Sequence, residues 1–164
     1  MRTRAFTLVE VILVVAILGI LSALVMPTFQ GYVSEAKASA AKDSLKTMRT
    51  QIELYKTHHD DIPPGYIGAS GAPTALLKLQ FTGTTSPTGA ASVSTVPAGI
   101  YVYGPYVRKM PENPYNNLST IGYVAEAAAF AADDSTGWLY KKETAEFKIN
   151  KKDQDSKGVA FIDY

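Results

Sequence analysis

Cysteine is absent from this sequence of 164 residues. Its absence excludes disulfide bonds, a cysteine nucleophile and metal sites built from thiolates. If a globular part of the chain leaves the cytoplasm, packing and hydrogen bonds alone must hold it together.

Histidine is scarce, and its two copies are the neighbours His58 and His59. Adjacent helical side chains point about 100° apart, so this pair does not chelate a metal as an i, i+4 pair would. With Asp60 and Asp61 the histidines could contact a metal, but we favour solvation at the end of a helix. Segment 68–71, Gly-Ala-Ser-Gly, lacks the order of a nucleophile elbow. We therefore do not expect an enzyme.

The chain also lacks an excess of charge of either sign, with 16 basic and 15 acidic side chains and a formal net charge of +1. Strongly basic composition is what a nucleic-acid-binding surface requires. Nucleic acid is therefore not expected to be the main partner.

A long uncharged run, 11–29, stands out instead, with Arg2, Arg4 and Glu10 before it. About 20 apolar residues suffice to span a bilayer as a helix, so the run predicts a membrane-spanning helix over 6–29. A carboxylate at the edge of such a helix requires a partner. Cleavage after residue 5 would supply one, because the new α-amino group of Phe6 is a cation near Glu10.

The order Ala5-Phe6-Thr7-Leu8-Val9-Glu10 resembles the processing motif of type IV pilins and of the pseudopilins of type II secretion. In that family the leader ends in a small residue, usually Gly, and the mature chain has Phe first and Glu fifth. The resemblance implies a leader, 1–5, cleavage between Ala5 and Phe6, methylation of Phe6, and a role for Phe6 and Glu10 in assembly. Ala5 departs from the usual Gly. An ordinary signal anchor is the alternative.

The resemblance also implies a location and a set of partners. Lys37, Lys42, Lys46 and Arg49 follow the apolar run, so positive charges alone do not orient the chain. The family keeps the leader in the cytoplasm and exports the globular domain, first as a single-pass inner-membrane protein and then within a periplasmic or surface filament. The implied partners are copies of this chain, minor pilins or pseudopilins, a prepilin peptidase and an inner-membrane assembly platform.

Gly19 and Pro27 interrupt the apolar run, because glycine lowers helix propensity and proline removes a helical hydrogen bond. One interpretation is a gentle kink. The other, which we favour from the resemblance, is helix flexibility: the segment between them unwinds when the helix moves from lipid into a filament core.

The helix is predicted to continue beyond the membrane as an amphipathic extension, 30–62. Apolar residues recur there at spacings of four and three, which places them on one helical face: Ala41, Leu45, Met48, Ile52 and Tyr55. Pro63 and Pro64 end the pattern. With the resemblance, this predicts an α+β, type IV pilin-like fold, in which a long N-terminal helix packs on a small antiparallel sheet of about three to four strands.

The globular domain, 63–164, divides into a connecting region, 63–99, and a sheet region, 100–164. The pattern predicts a short helix or strand at 74–81 and a strand near 92–96. Sheet signals begin at 100–103, a hairpin is expected from 137–140 and 146–150, and 159–162 would add a strand or a docked tail.

Two shorter segments resemble features of the major pseudopilins. The stretch 111–114, Pro-Glu-Asn-Pro, predicts an extended loop packed on its own domain, with a polyproline-type ligand as the alternative. The family's C-terminal calcium site is harder to place on the acidic loops 133–136 and 153–158. Lys157 stands where a ligand oxygen is wanted, and no Glu closes the loop. We therefore expect solvated turns and no cofactor, with calcium as the alternative.

Three functions follow in order. The first is a pseudopilin of type II secretion, closest to the major pseudopilin, that polymerises through its N-terminal helix to drive protein export. The absence of cysteine and the stretch 111–114 favour it. The second is a type IV pilin for adhesion, motility or DNA uptake. The third is a membrane-anchored envelope protein that does not polymerise.

Overall fold

The computed structural model describes residues 6–164, and their side chains except those of 26–30. Two compact units divide the chain, Met1–Ala36 and Lys37–Tyr164. The first helix, α1, spans Leu8–His58 and belongs to both. The backbone is helical at Gly19 and at Pro27.

The end of α1 is set by two aspartates rather than by the prolines that follow. Asp60 and Asp61 adopt left-handed backbone conformations, with φ of 53° and 64°. The amide of Asp61 donates to the carbonyl of Lys56 at 2.9 Å, which is the hydrogen bond of a Schellman motif. The predicted end of the helix before Pro63 is therefore confirmed, but its local cause is different.

The unit Lys37–Tyr164 contains the second half of α1, a second helix, three small sheets and a final 3₁₀ turn. In chain order the further elements are β1 (Tyr66–Ile67), β2 (Ser70–Gly71), α2 (Thr74–Thr82), β3 (Thr84–Thr85), β4 (Ala91–Ser92), β5 (Ile121–Tyr123), β6 (Trp138–Lys141), β7 (Glu146–Ile149) and the 3₁₀ turn (Phe161–Asp163). β1 pairs with β2, and β3 with β4, both antiparallel.

The three-stranded sheet confirms the predicted hairpin and adds a strand that the sequence pattern did not reveal. β6 and β7 are antiparallel, with Trp138 opposite Ile149 and Tyr140 opposite Phe147, and all four side chains are buried. β5 lies on the other side of β6 and runs parallel to it. The sheet is therefore mixed rather than wholly antiparallel. A parallel pair needs a long crossover, which residues 124–137 provide.

The predicted apolar face of α1 is confirmed as its contribution to the core. All five members are at most 1% exposed. Four of them join one buried cluster with the inner face of the hairpin, namely Ala41, Leu45, Met48 and Ile52 with Trp138, Tyr140, Phe147 and Ile149. Burial of an apolar helix stripe against an apolar sheet face is the main stabilising contact of this unit.

Other local predictions had mixed outcomes. Segment 74–81 is helical, as α2. Segment 100–103 forms isolated bridges rather than a strand. Gly99 and Gly104, with φ of 59° and 77°, turn the chain at both ends and leave too short a run for a strand. The expected strand near 92–96 pairs only at 91–92. Segment 159–162 is a docked tail, with one bridge between Gln154 and Ala160.

The loop at 111–114 packs on its own domain, as predicted. Asn113 is fully buried, and its Nδ2 donates to the carbonyl of Gly137 at 2.8 Å. The indole Nε1 of Trp138 donates to the carbonyl of Pro111 at 2.8 Å. A buried amide with matched partners fixes the path of the loop across the sheet.

Candidate functional site

The N-terminal site is built around a hydrogen-bonded turn between Thr7 and Glu10. Glu10 Oε2 accepts the backbone amide of Thr7 at 2.9 Å and its hydroxyl at 2.8 Å. The amide of Glu10 in turn donates to Thr7 Oγ1 at 3.3 Å. This reciprocal arrangement is a capping box, in which Thr7 caps α1 and the Glu three residues later reaches back. It also holds the Glu10 carboxylate at the start of the helix.

The other predicted site residues lie around this turn or further along α1. Phe6 precedes it and is 84% exposed, while Ala5 lies outside the described residues. Gly19 lies within α1, and a Cβ added there would meet nothing within 4 Å. Glycine at 19 therefore makes no close approach within the single chain. The proposed roles of Gly19 and Pro27 remain predictions.

Behind the turn, one stretch of the described chain is long and apolar enough to cross a membrane. It covers Leu8–Val25, and none of it is buried. Fully exposed leucine, isoleucine and valine side chains over this length are not stable in water. The segment therefore requires lipid or the helices of other subunits around it.

The C-terminal segment is held by polar contacts, without a disulfide. Arg49 of α1 donates from Nη2 to the carbonyl of Phe147 in β7 at 3.1 Å and to the main-chain oxygen of Tyr164 at 2.5 Å. The ammonium of Lys42 lies 4.1 Å from the centre of the Tyr164 ring. The Tyr164 hydroxyl donates to Asp155 Oδ2 at 2.9 Å. These contacts tie the tail to both α1 and the loop 153–158.

The two acidic loops use their carboxylates within the protein. Asp155 Oδ1 accepts the amides of Lys157 and Val159, and the Val159 bond is the main cause that lowers the pKa of Asp155. Hydrogen bonds from Asn150 and Ser135 lower the pKa of Asp133 to about 2. Among the described residues there is no group of three or more His, Cys, Asp or Glu side chains that could hold a metal.

The histidines at the end of α1 correct one expectation. His59 is not solvated: it is 1% exposed and stacks on Tyr55 with ring centres 3.8 Å apart. Its Nδ1 lies 2.7 Å from the Tyr55 carbonyl, and burial lowers its pKa. His58 Nδ1 lies 3.1 Å from the Tyr106 hydroxyl. The sequence pattern missed this because the Tyr103–Tyr106 region, distant in sequence, covers the helix end.

Comparison with known proteins shows where this arrangement belongs. A family model described as the prokaryotic N-terminal methylation motif matches residues 1–26. The chain is 33% identical over 140 residues to the type IV major fimbrial protein FimA of Dichelobacter nodosus, covering 85% of this chain and 83% of that protein. The chain belongs to the family of type IV pilins and type II secretion pseudopilins.

Other relatives of this pilin-family chain include the type II secretion system core protein G of Pseudomonas aeruginosa. The two are 33% identical over 116 residues, which is 71% of this chain and 70% of that protein. The core protein G of Dickeya chrysanthemi is 30% identical over 114 residues, or 70% of this chain and 64% of that protein. No solved structure matches.

Family membership gives the chain its class of function. It is a membrane-anchored, envelope-associated protein and a structural subunit of a pilus-like filament, assembled with other subunits of its kind. The names of these relatives are those of fimbrial and secretion-system core proteins rather than of enzymes. The helix Leu8–Val25 is the element that such a subunit offers to lipid or to its neighbours.

One functional residue escaped the sequence reasoning although its signal was present. Thr7 and Glu10 form the Thr-x-x-Glu pattern of a capping box directly before an apolar run. The motif was read only for its processing site and its acidic residue. Thr7 is the residue that holds the Glu10 carboxylate in the unassembled chain.

Proposed function

We propose that this chain is a pseudopilin of a type II secretion system, processed between Ala5 and Phe6 and methylated at Phe6 by a prepilin peptidase. An inner-membrane assembly platform then adds it to a filament whose growth drives protein export. The observation that carries the proposal is the unburied helix Leu8–Val25 with Glu10 held at its start.

The pairing of charges explains how subunits recognise one another. In the single chain, Glu10 accepts two hydrogen bonds from Thr7 but has no cation in this turn. Cleavage at Phe6 creates an α-ammonium group, and in the filament this group neutralises Glu10 of an adjacent copy. An unpaired charge left in an apolar core costs about 3–5 kcal/mol. The pair therefore favours the one stagger between helices at which both charges are matched.

Thr7 gives this step a second component. Its amide and hydroxyl hold one carboxylate oxygen of Glu10 at 2.9 and 2.8 Å, so the carboxylate is oriented before assembly begins. Hydrogen bonds also lower the cost of keeping the carboxylate charged near lipid. Thr7 therefore positions Glu10 for the incoming ammonium group.

Topology and cofactors complete the proposal. The leader lies in the cytoplasm, and the unit Lys37–Tyr164 lies outside it. Neither nucleic acid nor a resident cofactor takes part. The carboxylates of the two acidic loops already accept hydrogen bonds from protein donors, which supports folding without calcium. Added calcium should leave the melting temperature of the purified chain unchanged, and a saturable rise would contradict this part.

The test compares Glu10→Ala with Glu35→Ala, which removes a carboxylate of α1 outside the span Leu8–Val25. Glu10→Ala should remain in the membrane but disappear from sheared filaments, because the ammonium of Phe6 loses its partner. Glu35→Ala should assemble normally. Equal filament yields for wild type and Glu10→Ala would refute the charge-pairing step.

A type IV pilin is the second candidate, and one observation favours it. The match to the fimbrial protein of Dichelobacter nodosus covers 85% of this chain, against 71% for the core protein G of Pseudomonas aeruginosa. A pilin would form long surface fibres at native expression, whereas a pseudopilin would not. Electron microscopy of cells at native expression decides between the two. Recovery of only monomers after processing would favour the third reading, an anchor that does not polymerise.

A further inference from the structure

One loop of the unit Lys37–Tyr164 carries the four most exposed large apolar side chains of that unit. We call them the apolar loop patch, and their exposed fractions are 81% for Val93, 68% for Val96, 67% for Ile100 and 49% for Val102. Isolated apolar residues on a surface are ordinary, but four within ten residues form a patch that needs an explanation.

Hydrogen bonds hold the loop in a defined shape. Thr84 donates from its amide to the carbonyl of Ser94 at 2.8 Å, and Thr85 and Tyr103 exchange two backbone hydrogen bonds of 2.8 and 3.0 Å. Because Thr84 and Thr85 are neighbours, the loop leaves and returns at one place.

The tip of the loop is closed in the same way. Ala98 and Tyr101 exchange two backbone hydrogen bonds of 3.0 Å around Gly99, which has a φ of 59°. Ser94 Oγ accepts the amide of Val96 and donates to the Val96 carbonyl. The patch is therefore presented on an ordered backbone, which reduces the entropy lost when a partner binds.

Charge and area indicate what kind of contact the patch makes. No charged residue occurs between Lys78 and Arg108, so the contact is apolar. The four side chains expose on the order of 400 Å² of apolar surface. A standard interface buries about 800 Å² on each partner. The patch is thus too small to hold a dimer by itself, and it suits a contact that adds to a larger interface.

We propose that the apolar loop patch docks on a second copy of this chain in the filament. The inference rests on the assembly proposed above, in which the apolar helices of α1 supply the larger interface. Copies along a filament are related by a screw operation, so the contact is heterologous: the patch meets a different surface of its neighbour. The patch adds apolar area at the filament surface to what the helices bury inside.

Photo-crosslinking in the full-length chain tests the contact. A benzoylphenylalanine at position 100 is compared with one at position 109, where the Lys109 side chain is 81% exposed and outside the patch. In sheared filaments, position 100 should give an adduct of two copies of this chain, joined to a site outside 93–102. Position 109 should give little or none.

The outcomes separate this inference from the proposed function. Filaments without an adduct at position 100, an adduct with another protein, or an adduct joining 93–102 to itself would overturn the inference alone. Failure of the unmodified, processed chain to form filaments would refute the proposed function and this inference together.

Substitution gives a second, independent readout. The pair Val96→Asp and Ile100→Asp should lower filament yield by about tenfold, with processing and membrane level unchanged. Val159→Asp is the matched control, since Val159 is 43% exposed and lies outside the patch. The milder Ile100→Ser should lower the yield in the same direction and guards against misfolding of the double variant. Wild-type yields for both patch variants would overturn the inference.

Discussion

Arg49 should take the place that a disulfide would hold in this cysteine-free domain. It lies on α1 and reaches two oxygens that no strand pairs. One is the carbonyl of Phe147 on β7, an edge strand of the three-stranded sheet, and the other is the main-chain oxygen of Tyr164. The perturbation is Arg49→Met, which keeps an apolar stem but removes every donor.

The expected loss can be worked from these contacts. A hydrogen bond that involves a charged group contributes about 1.5–3 kcal/mol when buried, and less when solvent competes. The bond to Phe147 is partly buried and the bond to Tyr164 is exposed. We therefore expect the free energy of unfolding to fall by about 2 kcal/mol in total. For a unit of this size that corresponds to a fall of about 5–10 °C in melting temperature.

The assay is thermal unfolding of the full-length chain in detergent, followed by near-ultraviolet circular dichroism of the buried aromatic core. Hydrogen exchange adds a local readout, because amides in the 3₁₀ turn Phe161–Asp163 should lose protection first. Lys46→Met is the matched control, since it removes one positive charge from an exposed position on the same helix.

The reasoning would be refuted by equal melting temperatures for Arg49→Met and Lys46→Met. Unchanged protection of 161–163 in Arg49→Met would refute the local part separately. In that case packing of Phe161 against the core cluster, rather than Arg49, would hold the tail.

Two further predictions concern buried polar side chains. Gln80→Leu should lower the free energy of unfolding by about 3 kcal/mol, because it strands the Gly65 amide and the carbonyls of Tyr66 and Gly89; an unchanged urea midpoint would show that these groups find other partners. Burial lowers the pKa of His59 below its usual value, so the unfolded chain binds the extra proton first and stability should fall as the pH drops from about 7.5 to about 5.5. His59→Phe keeps a ring against Tyr55 and should flatten this pH dependence in urea titrations, whereas the wild-type slope in the variant would assign it to another group.

The elements that followed from the sequence are those whose signals are local. The membrane segment and the apolar face of α1 follow from composition and period, and the β6–β7 hairpin follows from alternation around a polar turn. The parallel pairing of β5 with β6 does not follow, because it depends on a long crossover that carries no local register signal. The 100–103 segment shows the same limit: its residues favour a strand, but the turns at Gly99 and Gly104 decide otherwise.

Polar side chains were the other source of error. Residue type predicts exposure for Asn, Gln and His, yet Asn113, Gln80 and His59 are buried because each meets backbone groups from distant parts of the chain. At the candidate site, the motif identified Ala5, Phe6 and Glu10 at once. The role of Thr7 was also readable from sequence, through the capping-box pattern, but needed the geometry to be noticed.

Intact mass and N-terminal sequencing of the native protein test the central claim most directly. The samples are membranes and sheared filaments from the same cells. The account predicts a chain that begins at methylated Phe6 and is enriched in the sheared fraction. A chain that keeps residues 1–5 and remains confined to membranes would contradict it, because no ammonium group would then exist at Phe6 to pair with Glu10.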